Sequence, residues 1–538
     1  MDKALRFVNP GRTQVIGSLW IFSHGSRPHD AQSRVKRYMD SSLLTIISPA
    51  TGQDYEVLRP TLSRPEIVTT AQLSKLFDTE PGPWAFRDAL AMLPNLPVLP
   101  PAKTIVCLKT LAQLTGWTEP LACSIEGLAA TTSGLLERVQ ALKMESLAAL
   151  ECQLIIPVLD MQSRGLPFNT ELWRQTLATL ATETTAQSEE LTGYLGGALG
   201  FSLFGQKKLD FNDPATIKNG LSQLFNRKVV DVGQQALKEI NHPATRILLK
   251  YRENTKLLNT YGETFLEHVQ GSRLRGHFEP LGTSSGRLAC HSPNLQALPG
   301  SVAFQQCLAP PPGRQILHFD YGAFELRILA SLAEDQNMLD IFHSEQDIHA
   351  QVAEAVFKQT VSKTVRPHLR DQAKILNFGI IYGMSSNTMA QQLNLSTDKA
   401  KQMLAAYFLK FHKIKALLES LEHKALTKGY VNTALGRRLI FNPNEELHRV
   451  RRVARNMPIQ GTGAEIVKLA MCRVHQHLQN EFASSYLINS IHDELVVECN
   501  VDDATKVGRV VMHEMAQAFS AVLPNVRPAI EIKTAPPN

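Results

Sequence analysis

Two aspartates, Asp320 and Asp493, stand far apart in the chain, yet each is written at the end of a short apolar strand. In GRQILHFDYGAFELRIL a strand from Ile316 to Phe319 delivers Asp320 to its edge, and a helix begins near Ala323. In LINSIHDELVVEC two apolar runs flank His492, Asp493 and Glu494, the pattern of a β-hairpin with polar groups at its tip. A carboxylate among apolar neighbours is costly to desolvate unless hydrogen bonds or a cation compensate it. Taken singly, Asp320 fits a helix-capping residue and Asp493 any turn aspartate. Taken together they restrict the fold, because both sit in β contexts able to share one sheet. Magnesium needs few carboxylates and leaves room for water and phosphate oxygens, so two such ligands would suffice.

With 538 residues, 43% hydrophobic and 20% charged, the chain is neither a disordered tail nor a disulfide-stapled peptide. At roughly 150 residues per domain, about three or four compact units are expected. The formal net charge of +6 suits an anionic partner without proving one. The 7 cysteines are scattered and form no CxxC pair, so zinc-type spacing is absent and a reducing interior is expected. No apolar run reaches the roughly 18 residues of a membrane span, and MDKALRFVNPGRTQVIG lacks the apolar core of a signal peptide. The expectation is a soluble, cytoplasmic protein.

Residues 1–145 read as an α/β stretch with short strands at Leu43 to Ile47 and Tyr55 to Leu58 and a Pro-rich interruption from Pro94 to Pro101. Helical spacing governs Leu147, Leu150, Leu154, Ile155, Val158 and Leu159, and again the run from about Pro243 to Val269. Strands and turns follow Gly271. Phe324 to Phe342 is helical, and a long helical region is expected from about Val365 to Lys428.

In RDQAKILNFGIIYG, the residues Arg370, Lys374, Phe378 and Tyr382 recur every fourth position, so a helix presents two cations and two aromatic rings on one slowly rotating face. Such a face can hold a triphosphate while the rings stack on a base pair. An amphipathic helix with its charges outside and its aromatics in the core accounts for the same spacing. A basic cluster follows, with Arg437, Arg438, Arg449, Arg451, Arg452 and Arg455 and then Asn456 and Gln460 ahead of an apolar helix. Arginines can neutralise phosphates and amides can read base edges. A solvated basic face is the competing account.

Five segments in chain order resemble the family A DNA polymerases of the DNA polymerase I type. TSSGRLACHSPNLQALP looks like the family's primer-template segment, DYGAFELR its first catalytic motif, and RDQAKILNFGIIYG its nucleotide-binding helix. RVARNMPIQGTGAEIVK resembles the template-contacting helix and IHDELVVE the second catalytic motif. The likeness runs from about Glu145 to the C-terminus. It implies an α/β (α+β) right-hand fold: thumb at 146–270, palm at 271–320 and 431–538, and fingers at 321–430. An N-terminal ribonuclease H-like exonuclease-type domain would occupy 1–145.

The resemblance implies two-metal phosphoryl transfer with Mg2+, or Mn2+ in its place. Asp320, Asp493 and the Tyr321 carbonyl match the metal-binding positions, and Glu494 a supporting acid. Arg370 and Lys374 match the phosphate-binding cations, Phe378 and Tyr382 the residues under the incoming base and template, and Glu325 the residue that excludes a ribose 2′-hydroxyl. Arg287, Asn294, Gln296, Arg452, Asn456, Gln460 and His492 match positions that contact primer or template. Phe378 in place of Tyr resembles members that discriminate against dideoxynucleotides. The implied partners are primer-template DNA and dNTPs, with a monomer, replication accessory proteins and a nucleoid-associated location.

Two departures stand out. Gly322 and Ala323 replace the family's usual Ser-Gln after Asp-Tyr, which removes some hydrogen bonding near the metals. The acidic pair expected of a proofreading exonuclease is missing from LWIFSHGSRPHD, and the nearby Asp54 and Glu56 fall in a later strand. A shortened domain without metal, and hence synthesis without proofreading, is expected, with no room for a 5′ nuclease. A single-subunit RNA polymerase shares a similar palm, but Glu325 and the primer-template segment argue against it. An inert DNA-binding replication factor has no physical need for both aspartates and both phosphate-binding cations.

Overall fold

The structure is a computed structural model that describes residues 137–199 and 210–534, with short segments at 4–8, 15–20, 46–47, 85–87, 105–107 and 113–116. Of the expected early strands, Ile46–Ile47 pairs with Ala85–Arg87, which pairs with Ile105–Cys107. Tyr55 to Leu58, Asp54, Glu56 and the Pro94 to Pro101 stretch lie outside the described residues.

The described residues divide into two compact units. One comprises Gly165–Gly276 and Ala297–Pro311. Its long helices Thr170–Leu199 and Pro243–Tyr261 pack together over a core that includes Leu191, Leu195, Phe211, Ile217, Leu221, Leu237 and Leu248. Asp213 caps helix Pro214–Leu224 by accepting the amides of Ala215 and Thr216. Trp173 stacks on Phe265 with ring centroids 5.2 Å apart, meets Phe304 edge-on and donates its indole N–H to the Tyr261 carbonyl. A buried indole needs such a partner.

The other unit contains a four-stranded antiparallel sheet in the spatial order Tyr486–Ile491, Glu494–Asn500, Arg314–Tyr321, Ile530–Thr534. Alternation across the pleat sets its faces: Phe319 and Tyr321 are buried while His318 and Asp320 are partly open. Helices Leu447–Glu481 and Ala504–Val522 pack on each other, and the second turns Val507, Val511, Met515 and Phe519 inward. The long helical region expected from Val365 to Lys428 consists of four helices, Pro367–Ile381, Ser386–Leu393, Thr397–Lys410 and His412–Lys428. Left-handed backbone at Gly383 and Asn394 makes the first two breaks.

Helices Glu145–Gln153 and Ile155–Arg164, placed by sequence in a thumb starting at 146, belong to the sheet-containing unit. The second packs on strand Tyr486–Ile491, and the Arg164 guanidinium lies 4.0 Å from the Tyr486 ring centroid. The first carries Glu151, whose carboxylate is fully buried against the Lys468 ammonium at 2.6 and 2.8 Å. Arg437, read from sequence as a possible phosphate ligand, is also buried and pairs with Glu151 and Glu465. It is therefore withdrawn from solvent. A Cβ at Gly286 (φ +80) would collide with the Arg437 guanidinium, so only glycine fits there.

Candidate active site

The sheet brings the two aspartates to one place. Asp320 is directly opposite Glu494 on one neighbouring strand and Glu531 on the other, and the hairpin tip next to Glu494 carries His492 and Asp493. His492 adopts φ 56, left-handed backbone that lets a two-residue tip close. Asp320 does not cap the following helix; the N-cap of Phe324–Ala333 is Ala323, itself left-handed and without a side-chain cap. Gly322 donates its amide to the Ala529 carbonyl at 2.9 Å, and a side chain there would meet Ala529 and Glu531.

The acidic group carries an electrostatic cost. Burial pushes Asp493 up to about 6, and the nearby Asp320 adds to the shift. Asp320 is raised for the same reason, with Glu494 and Glu531 adding to it and Lys533 opposing it by donating to Oδ2 at 3.3 Å. His318 Nδ1 lies 2.7 Å from Glu494 Oε1. Two desolvated carboxylates with two more alongside form a hard oxygen donor set whose repulsion a divalent cation would relieve, so the residues fit magnesium. Tyr321 could contribute only backbone, because its side chain is buried and its hydroxyl donates to the Met515 carbonyl.

Asp320, Asp493 and Glu531 line a cleft of about 830 Å³ together with Arg287, Glu325, Arg370, Lys374, Phe378, Tyr382 and His492. The fourfold spacing on helix Pro367–Ile381 does not bury the rings in a core: Phe378 is half-buried, Tyr382 at the C-cap is 41% exposed, and the rings lie nearly parallel with centroids 6.5 Å apart. Arg370 donates to Asp347 Oδ2 at 2.7 Å, and Asp347 also caps helix Ile348–Phe357. Lys374 is exposed. Glu325 links three elements, accepting from Arg287 at 2.8 Å and from the Tyr382 hydroxyl at 3.0 Å. Burial and then the Glu325 charge push Tyr382 up to about 12, so its hydroxyl remains a donor at neutral pH.

Of the other sequence-identified residues, Gln460 hydrogen-bonds Tyr382, and Asn456 donates to the Ile381 carbonyl at 3.3 Å. Arg452 and Arg451 are exposed near the start of helix Leu447–Glu481, while Arg455 pairs with Glu422 and Arg449 with Glu445. Gln296 donates to the Ser490 carbonyl at 2.9 Å, and Asn294 accepts the Gln296 amide while staying exposed.

Several residues in the cleft or in contact with its acidic group escaped the sequence reading. His318 stands two positions before Asp320, so strand alternation alone could have placed it on the same face. Glu531 and Lys533 alternate with Ile530 and Ile532 in an amphipathic strand whose position only the sheet reveals. His349 lines the cleft near Phe378, with Asn377 3.0 Å from its Nδ1. Burial, reinforced by Arg370 and Lys374, pushes it down to about 4, leaving a neutral imidazole. No spacing rule flagged it.

A family model described as DNA polymerase family A matches residues 176–536. The DNA polymerase I of Caldicellulosiruptor bescii is 34% identical over 303 residues, covering 54% of this chain and 35% of that protein. The thermostable DNA polymerase I of Thermus filiformis is 31% identical over 382 residues, covering 68% of this chain and 45% of that protein. The chain thus spans less than half the length of these two relatives. Among solved structures, the POL domain of Pol1 from M. smegmatis, in complex with DNA primer-template and dNTP, superposes with a TM-score of 0.69 at 24% identity, covering 79% of this chain and 78% of that one. That likeness establishes a common fold.

Proposed function

Because this chain belongs to DNA polymerase family A, we propose that it is a template-directed DNA polymerase that adds deoxynucleotides to a primer 3′ end. The observation that carries the proposal is the convergence, in one cleft, of Asp320 and Asp493 with the Arg370–Lys374–Phe378–Tyr382 face and the Arg287–Glu325 pair. The palm corresponds to the four-stranded sheet, the fingers to the helices between Gln336 and Lys428, and the thumb to the unit that opens at Gly165.

Asp320, Asp493 and the Tyr321 carbonyl would hold two magnesium ions, which manganese could replace; bound there, they would supply Lewis-acid activation of the primer hydroxyl and charge neutralisation of the pyrophosphate. Glu494, fixed by His318, supports that acidic cluster. Arg370 and Lys374 bind the triphosphate, and the Phe378 and Tyr382 rings support the incoming base and its template partner. Glu325 occupies the position that excludes a ribose 2′-hydroxyl, held there by Arg287 and Tyr382. Arg287, Asn294, Gln296, Arg452, Asn456, Gln460 and His492 contact primer or template. In this reading synthesis proceeds without proofreading, because the acidic pair expected of an exonuclease is missing from LWIFSHGSRPHD. The protein acts in replication or repair as a monomer with accessory proteins, in the nucleoid-associated cytoplasm. Among the described residues, no helix is long and apolar enough to cross a membrane.

Primer extension with matched and mismatched 3′ ends tests this directly. Asp320→Ala or Asp493→Ala should reduce nucleotide addition to background while primer-template binding persists. Undiminished synthesis in either variant would sink the metal assignment, and digestion of the mismatched end by the unmodified chain would overturn the absence of proofreading.

A further inference from the structure

We propose that His277, Glu279 and His291 form a transition-metal site, suited in its donors to zinc, outside the catalytic cleft. The site is built by a two-stranded antiparallel ribbon, His277–Glu279 against Ala289–His291, in which His291 lies directly opposite His277 and Ala289 opposite Glu279. Phe278 and Cys290 face each other and are 3% and 5% exposed, so alternation turns them inward and puts both histidines and the glutamate on the other face. Cross-strand partners of this kind hold their Cβ atoms roughly 4.5–5.5 Å apart, within reach of a common ion.

The side chains use that placement. One ligand atom from each of His277, Glu279 and His291 lies within 4.8 Å of the other two. The two imidazole centroids are 4.7 Å apart, and His291 Nε2 points at Glu279 Oε1 at 3.5 Å. The remaining nitrogen of His291, Nδ1, is 3.3 Å from the Ser292 hydroxyl, an outer partner of the type that fixes ring orientation and tautomer at metal sites. With Nδ1 carrying the hydrogen toward Ser292, the Nε2 lone pair faces the Glu279 carboxylate, an arrangement in which both atoms can ligate one cation. A metal ion would use all three groups at once.

Donor chemistry selects the ion. Two imidazole nitrogens and one carboxylate suit zinc and its first-row neighbours, whereas magnesium prefers an all-oxygen shell. Three protein ligands leave a tetrahedral ion one open position. Bound metal would tie the ribbon's two strands together immediately before Asn294 and Gln296. The inference is independent of the polymerase assignment, since it uses none of the cleft residues.

The test is a calorimetric titration of the full chain with zinc in excess magnesium, which occupies the acidic cleft and leaves imidazole donors available. One saturable zinc site is expected, unchanged in Asp493→Asn. His291→Ala should weaken it on the order of tenfold or more, because losing a ligand costs at least as much as losing an outer-shell partner. His277→Ala should do the same. Zinc should raise the melting temperature of the unmodified chain and not that of His291→Ala, whose far-ultraviolet circular dichroism without metal reports its folding. Zinc binding that persists undiminished in both histidine variants, or that magnesium displaces from the unmodified chain, would overturn the proposal.

Discussion

Asp493 keeps its proton up to about pH 6 because burial removes it from water and Asp320 adds like charge. In the unfolded chain the same group ionises near the ordinary 3.8, so between those values the folded state carries the extra proton. Stability of the metal-free chain therefore falls as pH rises through that window, and the full cost is present above about pH 6. Asp493→Asn cannot ionise. Urea melts in chelator should find it more stable than the unmodified chain at pH 8, with the advantage shrinking toward pH 4. Glu325 supports a second expectation: Glu325→Ala removes the carboxylate that holds Arg287 and Tyr382, so NTP incorporation relative to dNTP should rise by on the order of tenfold in single-turnover extension. Both residues were identifiable in sequence because they sit in dense motifs. Lys533 and Glu531 were not, since an exposed Glu-Ile-Lys alternation looks the same beside a catalytic cleft as on any sheet edge.

Helix Leu447–Glu481 shows what an element can hide. Its first turns carry exposed Arg451 and Arg452, whereas its second half buries Glu465 and Lys468 completely. Those two charges meet Glu151 from helix Glu145–Gln153 and Arg437 from the loop before strand Arg438–Ile440. Burial drives Glu465 up and Lys468 down, so each ion depends on its partners to stay charged. Removing Glu151 leaves two cations buried without their shared anion. Glu151→Ala should cost about 3–5 kcal/mol of unfolding free energy. Denaturant melts check this, and adding Lys468→Met should recover part of the loss. Helix Pro367–Ile381 was legible from its fourfold spacing, because every informative side chain lies on one element. The breaks at Gly383 and Asn394 were harder to read: a left-handed residue is a backbone choice that many sequences tolerate.

For the molecule as a whole, a net charge of +6 and the exposed arginines near the start of helix Leu447–Glu481 point to counterion release on binding an anionic polymer. Primer-template affinity should fall by on the order of tenfold or more between about 50 and 200 mM salt, measurable by fluorescence anisotropy. Truncation probes the N-terminal boundary. A chain starting at 137 retains Glu151, while one starting at 155 loses it and should unfold at lower denaturant. The strand-borne aspartates, the hairpin tip and the cation–aromatic helix face could be read without coordinates, because strand and helix periods are local properties of neighbouring residues. Which arginine is withdrawn from water, which acids join Asp320, and where residues 145–164 belong were decided only by packing. Desolvation and Coulomb energies depend on separation in space, and the partners that set them lie far away along the chain.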